Sequence, residues 1–347
     1  MPVHLAIHST RRQLFVSMPQ IDAIGVWDLT TRRWCSPIRI RGYPGFVRHI
    51  PKKDLLVAAN YNASSVSIVS MAGDRPPTTI PVDYYPRVLA CSQDEVLLIT
   101  LNYHAGTIGV IELERAAASH VTHIEVGTRA SDGVFLADGY TAIVVDRLER
   151  SCTAVNVASS TILGRGRLAA EPRSVVGGRR RREAYVLCPR DNSVVVVDEN
   201  GSPSTCVKTG ETPIHHALLS DGETLVVLNA RSRSLTAIDT LTRKTITTIP
   251  VGQSPLRVFE APEMGLIVVL NRGDKTASLI DASTFDLLGV APTGAGAYSV
   301  CADAYESTLY VSNEESFSIT AIALDQDSRR LKQLAKRSEA CKDGHGS

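Results

Sequence analysis

One internal period constrains this chain more than any other feature. Proline or alanine recurs at Pro2, Pro44, Pro86, Ala130, Pro172, Pro213, Pro255 and Ala297, at intervals of 41 to 44 residues. Sixteen residues after each comes Met18, Asn60, Asn102, Asp146, Cys188, Asn229, Asn271 or Asn313, closing runs such as DLLVAAN, ETLVVLN and TLYVSN. A repeat of this length marks one supersecondary unit copied along the chain. Each copy holds four short runs rich in Val, Ile and Leu, separated by Gly, Asp, Asn or Ser, which predicts an antiparallel four-stranded sheet. Eight such sheets set radially make a single all-β, eight-bladed β-propeller, which manages open sheet edges by repetition. The period overrules the two domains that 347 residues would otherwise suggest.

The columns place the blades at about 1–43, 44–85, 86–129, 130–171, 172–212, 213–254, 255–296 and 297–335, with residues 336–347 as a frayed tail. The first inner strand begins near Val3, and a weak last strand is expected around Arg330 to Leu334. Neither end then completes the other's blade, and closure rests on packing between blades one and eight. Inner strands covered on both faces should read as continuous apolar runs. The Asn column is expected at turns, because Asn tolerates a left-handed backbone and bonds neighbouring amides.

Composition supports a large buried core, with 44% apolar and 21% charged residues. A formal net charge of +1 gives no global field for nucleic acid or a membrane surface, and neither is expected as a partner. The start of the chain lacks a secretory pattern and no run is long enough to cross a membrane as a helix, so the expected compartment is the cytoplasm. Seven scattered cysteines without a C-x-x-C pair read as buried thiols. The oligomeric expectation is a monomer or weak homodimer.

The stretch from Pro213 through SLTAIDTLTRKTITTIPVGQSP, with TLYVSN near the end, resembles the YVTN-type β-propeller repeat family. The resemblance covers residues 1 to 335 and implies the propeller fold. Related propellers include 6-phosphogluconolactonase-like proteins, virginiamycin B lyase, the d-type haem domain of nitrite reductase and proteins with no chemistry, so it implies no single function.

In a propeller the loops before each inner strand and after each second strand open on one end of the channel. One or two places past the proline column lie His4, Arg87, Asp132, Arg173, His215, Arg257 and Tyr298, and just after the Asn column lie Tyr61, Tyr103, Arg147 and Arg272. A ring of Arg, His and Tyr suits an anion, since guanidinium groups take carboxylate or phosphate bidentately. Substrate-binding roles are therefore expected for Arg87, Arg173, Arg257, Arg147, Arg272, Tyr61, Tyr103 and Tyr298. Acid/base roles fall to His215, with His4 and His104 behind it, and to Asp132 as an orienting or supplementary carboxylate.

No metal site is expected. His120 and His123 should face opposite ways, as should His215 and His216, and His4 and His8 stand roughly 13 Å apart along one strand. His216, His49, Arg48 and Glu260 fall at inner-strand positions that other blades fill with apolar residues, and they must pair between blades or line the channel. No nucleophile, phosphate-loop or dinucleotide motif occurs. The run Arg179-Arg180-Arg181-Arg182 reads as a solvated hairpin tip at the end opposite the mouth.

The function expected from the sequence is binding of a small anionic metabolite at the channel mouth. Metal-independent proton-transfer chemistry of lyase, isomerase, cyclase or lactone hydrolase type would follow from the histidines. The alternatives are a non-catalytic interaction scaffold, or binding of a d-type haem or similar tetrapyrrole with His4 or His215 as ligand; no other cofactor is expected.

Overall fold

A computed structural model describes residues 3–74, 76–113, 121–325 and 338–340. Eight antiparallel sheets follow one another along the chain, each with its strands in sequence order from the channel outward. The inner strands are Leu5–His8, Pro44–Ile50, Pro86–Cys91, Ala130–Phe135, Ser174–Gly177, Pro213–Leu218, Pro255–Ala261 and Ala297–Asp303. Each packs beside the next, and the first packs beside the last, so the ring closes. Helical geometry among the described residues is limited to short 3-10 turns such as Pro51–Lys53.

The second strands carry the core. Leu55–Asn60, Thr224–Asn229, Leu266–Asn271 and Thr308–Asn313 are buried at every position. The inner strands instead mix buried and half-buried positions, as in Pro213–Leu218 and Pro255–Ala261. This corrects the sequence expectation that inner strands would be covered on both faces. They border the channel, where radial packing leaves one side short of neighbours.

Among the described residues the ring closes without strand exchange. Blade one is built from Leu5 onward, and its outer edge is split into Arg33–Trp34 and Ile38–Arg39, both paired with Ala23–Asp28. Blade eight ends with Ser338–Ala340 paired to Ser318–Ala323. That last strand falls in the segment read as tail, whereas Arg330 to Leu334 lie outside the described residues. Across the seam Arg12 donates to the buried Asp303 at 2.5 Å and pairs with Glu306 at 2.9 Å. Ser312 Oγ donates to the carbonyl of Val3 at 2.8 Å.

The Asn column has a structural role different from the expected turn. Asn60, Asn102, Asn229, Asn271 and Asn313 are all 0% exposed. Asn60 has φ −99°, and none of the five is left-handed. Each side-chain amide donates to a hydroxyl on the third strand, as Asn271 does to Thr276 and Ser278 at 3.1 and 2.9 Å. The oxygen of Asn271 accepts the N–H of Gly252, tying down the loop that leads into the next inner strand. A Cβ on Gly252 would sit 2.7 Å from that carboxamide, so glycine is required there. Asp146 replaces Asn in blade four and does the same work, accepting the N–H groups of Thr128 and Arg129 at 2.6 Å each.

Left-handed backbone occurs one place before the proline column instead. Tyr43, Tyr85, Thr212 and Ser254 have φ between 46° and 65°, and Gly296 has φ 74°. Non-glycine residues in this region store strain that the surrounding structure must offset. Other left-handed residues, such as Asp54, Arg233 and Lys275, stand in the turns between strands.

Candidate functional site

Six inner strands carry a β-bulge at the same place, immediately after the proline or alanine. The bulged residues are Gly45, Arg87, Ser131, Ile214, Leu256 and Tyr298. A bulge lets two residues oppose one and re-aims the side chains around it. Arg87 and Tyr298 thus sit on bulges, while Asp132, His215 and Arg257 directly follow them. In blade two the bulged residue is Gly45, and the ring of Tyr61 lies where its side chain would be, 2.3 Å from an added Cβ.

The three arginines expected from the sequence share one electrostatic environment. Burial pushes the Arg173 guanidinium below its ordinary value, and the like charges of Arg147, Arg257 and Arg87 push it further. Such a group remains charged, and its burial beside other cations favours an anion as partner. Arg257 Nη2 donates to Tyr298 Oη at 2.7 Å, with its guanidinium 4.2 Å from the centre of that ring. Arg87 lies 5.5 Å from the Tyr103 ring, and Tyr61 Oη donates to the Arg87 carbonyl at 3.5 Å. Among the described residues no carboxylate forms an ion pair with Arg87, Arg173 or Arg257.

The rim arginines differ. Arg147 pairs with Glu171, which also meets Arg190 at 3.3 Å. Arg272 pairs with Glu315 at 2.5 Å, with Glu314 at 4.0 Å. Their charges are partnered by carboxylates, although Arg147 still acts on Arg173.

Asp132, His215 and His4 lie deeper. Asp132 accepts the backbone N–H groups of Gly133 at 2.9 Å and, across the blade boundary, Val175 at 3.0 Å. Burial raises its carboxyl to about 6, against the lowering effect of those N–H groups and of Arg87 and Arg257. His215 Nδ1 accepts the N–H of Val258 in the next blade at 3.4 Å. Burial and then Arg257 hold His215 well below 6.5, so the ring is neutral at neutral pH. With Nδ1 accepting, the ring proton sits on Nε2 and that edge is a donor. His4 is lowered to about 4 by burial and then by Arg257; it lies against Phe46, and its Nδ1 is buried without a partner.

His104 is placed apart from this group. It is exposed and belongs to an arc of rings running Tyr43, Tyr61, Tyr85, His104 and Tyr103, with successive centroids 6.3, 5.4, 5.1 and 4.9 Å apart. Tyr84, 62% exposed, flanks the arc, and Arg129 lies 5.9 Å from the Tyr103 ring. The sequence places Tyr43 and Tyr85 just before the proline column and Tyr61 and Tyr103 just after the Asn column, in one ring of Arg, His and Tyr, and the structure brings these four rings into a single arc.

The out-of-place polar residues of the inner strands pair between blades. His216 is buried, with Nε2 2.9 Å from the carbonyl of Tyr185 and Nδ1 3.3 Å from Ser174 Oγ. Glu260 accepts the N–H and hydroxyl of Ser220 at 2.8 and 2.6 Å. Among the basic run, Arg180 pairs with Glu223 and Arg182 with Glu199, and Arg179, Arg180 and Arg181 border a cavity of about 210 Å³ at the hairpin end of blades five and six.

No protein-family model matches the chain, and no curated protein matches it by sequence. Solved structures do match. The chain is similar to dihydro-haem d1 dehydrogenase NirN in complex with DHE, with TM-score 0.74 and 13% identity over 93% of this chain and 72% of that one. It is similar to Saccharomyces cerevisiae Sqt1, with TM-score 0.74 and 10% identity over 94% of each chain. It is also similar to Kuenenia stuttgartiensis hydrazine synthase, with TM-score 0.64 and 18% identity over 82% of this chain and 96% of that one. These likenesses establish the β-propeller fold. No helix among the described residues is long and apolar enough to cross a membrane.

Proposed function

We propose that the channel mouth is a receptor for a small molecule bearing carboxylate or phosphate groups. The observation that carries this reading is the gathering of Arg87, Arg173 and Arg257, unpaired with any described carboxylate, beside rim arginines that are paired. Cations crowded this way repel one another, and an anion relieves the repulsion while accepting bidentate hydrogen bonds. Tyr298 fixes the Arg257 fork from one side. The neutral His215 offers an Nε2–H donor, which suits binding better than proton abstraction. The acid/base chemistry expected from the sequence therefore has its weakest support at the residue chosen to perform it.

The test is a thermal-shift and calorimetric screen with di- and tricarboxylates and phosphate esters, because a ligand bound only by the folded state raises apparent stability. A hit that is lost in Arg257→Ala supports the reading. Absence of any anion-dependent shift overturns it and favours the interaction scaffold, with the tyrosine arc as its contact surface.

A second reading has one specific observation in its favour. His4 Nδ1 is a buried nitrogen with no partner beneath the mouth, and NirN, a structural neighbour, is described in complex with DHE. A d-type haem would find its iron ligand in His4, carboxylate partners in Arg87 and Arg257, and ring contacts in the tyrosine arc. When bound, its iron would supply electron-transfer or small-ligand chemistry. Titration with the tetrapyrrole, followed by its absorption spectrum in wild type and His4→Ala, separates this from simple anion binding.

A further inference from the structure

At the far end of the channel from the mouth, where blades one and two meet, His8, His49 and Asp54 converge. His8 closes the inner strand of blade one, His49 lies near the end of the inner strand of blade two, and Asp54 follows in the turn to the second strand. The two imidazoles stack with centroids 4.2 Å apart and planes at 29°. His8 Nε2 stands 2.7 Å from Asp54 Oδ1, and one ligand atom from each of the three residues lies within 4.8 Å of the others.

We propose that these residues form a binding site for a divalent transition ion of the Zn2+ class. Three observations point to a ligand. The donor set, two imidazoles and one carboxylate, is one that first-row divalent ions favour. His49 Nε2 is buried with no hydrogen-bond partner, an arrangement that costs free energy unless something accepts its lone pair. Asp54 Oδ2 is held at 3.0 Å by Arg11, which leaves Oδ1 directed at the imidazoles and supplies the outer hydrogen bond that ligating carboxylates use.

Bonds of roughly 2.0 to 2.1 Å set tetrahedral donors about 3.3 Å apart, so the His8–Asp54 pair at 2.7 Å opens slightly while the wider separations, at most 4.8 Å, close. Asp54 sits on an exposed turn and can supply that movement. Ligation through His8 Nε2 replaces its 2.7 Å hydrogen bond with Asp54 Oδ1 by bonds to the ion, and with the ring proton on Nδ1 the 3.4 Å contact from the Arg11 N–H is given up as well. Three protein ligands leave further coordination positions open to solvent on the Asp54 side. Because the ligands come from two blades, the ion would also tie blade one to blade two in a ring whose terminal blades exchange no strand.

The experiment uses the full untagged chain. Zn2+ is titrated calorimetrically and Co2+ is followed by its visible absorption, in wild type, His49→Gln and Asp54→Asn, with the melting temperature of each metal-free protein measured alongside. The expected result is one ion per chain, with affinity reduced at least about tenfold in both variants while they stay folded. If one variant fails to fold, the other decides. Binding unchanged in either folded variant assigns the ion to exposed thiols such as Cys35 and Cys206 and overturns the site, as does the absence of binding to wild type.

Discussion

Asp132 Oδ2 accepts the backbone N–H of Val175 at 3.0 Å, carrying hydrogen bonding from the inner strand of blade four into that of blade five. The same register recurs between His215 Nδ1 and the Val258 N–H, and between Ser299 Oγ and the Leu5 N–H, both at 3.4 Å. The side chain two places past the proline or alanine column therefore braces the next blade in three blades of the ring. Structural and ligand-facing roles meet in one residue. Mutating Asp132 or His215 tests both at once, so their effects must be separated by measurement.

For Asp132 the separation comes from pH. Burial lifts its carboxyl from 3.8 to about 6, so the folded protein holds this proton more tightly than the unfolded chain. Between pH 4 and 6 the folded state binds more protons, and stability falls as pH rises through that window. The loss is on the order of 2 kcal/mol after allowing for channel water. Asp132→Asn removes it, so denaturation midpoints of variant and wild type should diverge from pH 4 to pH 6 and run parallel above pH 7. Parallel profiles throughout would show that the carboxyl is not shifted.

The inner arginines should separate from the rim arginines by affinity. For a ligand found in the anion screen, Arg87→Ala, Arg173→Ala or Arg257→Ala should each cost about 1.5 to 3 kcal/mol, roughly 10- to 150-fold in Kd. Arg257→Lys should recover only part of this, because the planar fork is lost. Arg272→Ala should change Kd less than about threefold, since its charge is held by Glu315. Equal effects at Arg257 and Arg272 would mean that diffuse charge, not the inner cluster, attracts the anion.

The eight-blade ring was legible because a fold built from copies writes its period into the chain. The mouth columns were legible for the same reason, since equivalent positions enter the channel at equivalent depth. Side-chain direction was not. Nothing in the spacing of Asp132 or His215 shows that each turns toward the next blade. The His8, His49 and Asp54 cluster was missed because distances were judged along one strand, from His4 to His8, whereas the neighbours of an inner-strand residue lie one blade away. The Asn column was assigned to turns from its intrinsic backbone preference. Full burial, with hydroxyls five and seven residues on, makes it a clamp between strands and loop.

Asn271→Ala should therefore lower stability first. It removes two donated hydrogen bonds, one of them fully buried, and the acceptor for Gly252, at a cost of about 2 to 3 kcal/mol. The Gly252 loop leads to Arg257, so the affinity for an anion should fall by less than in Arg257→Ala and return when the loop is ordered at lower temperature. Urea titration and calorimetry on the same variant measure both. Lost binding at unchanged stability would place Asn271 in the site itself.

The last prediction concerns the seam. Each terminal blade is made from one end of the chain, so the ring is held shut by contacts between blades one and eight, and Arg12 with Asp303 is the most buried ion pair among them. Asp303 has no water to replace its partner, whereas Arg12 is part-exposed and keeps Glu306. Breaking such a pair from one side leaves an uncompensated buried charge and costs about 3 to 5 kcal/mol, more than the net worth of the pair. Arg12→Ala, which strands the buried Asp303 carboxylate, should destabilise by that order and Asp303→Ala by less, because Arg12 keeps Glu306, whereas the exposed pair Arg231 with Glu211 should contribute less than about 1 kcal/mol. The double variant Arg12→Ala with Asp303→Ala should recover part of the loss, because no lone charge remains. Hydrogen exchange should then show faster opening in Leu5–His8 and Ala297–Asp303 ahead of the other inner strands. Protection lost evenly around the ring would mean that the seam is no weaker than any other blade boundary.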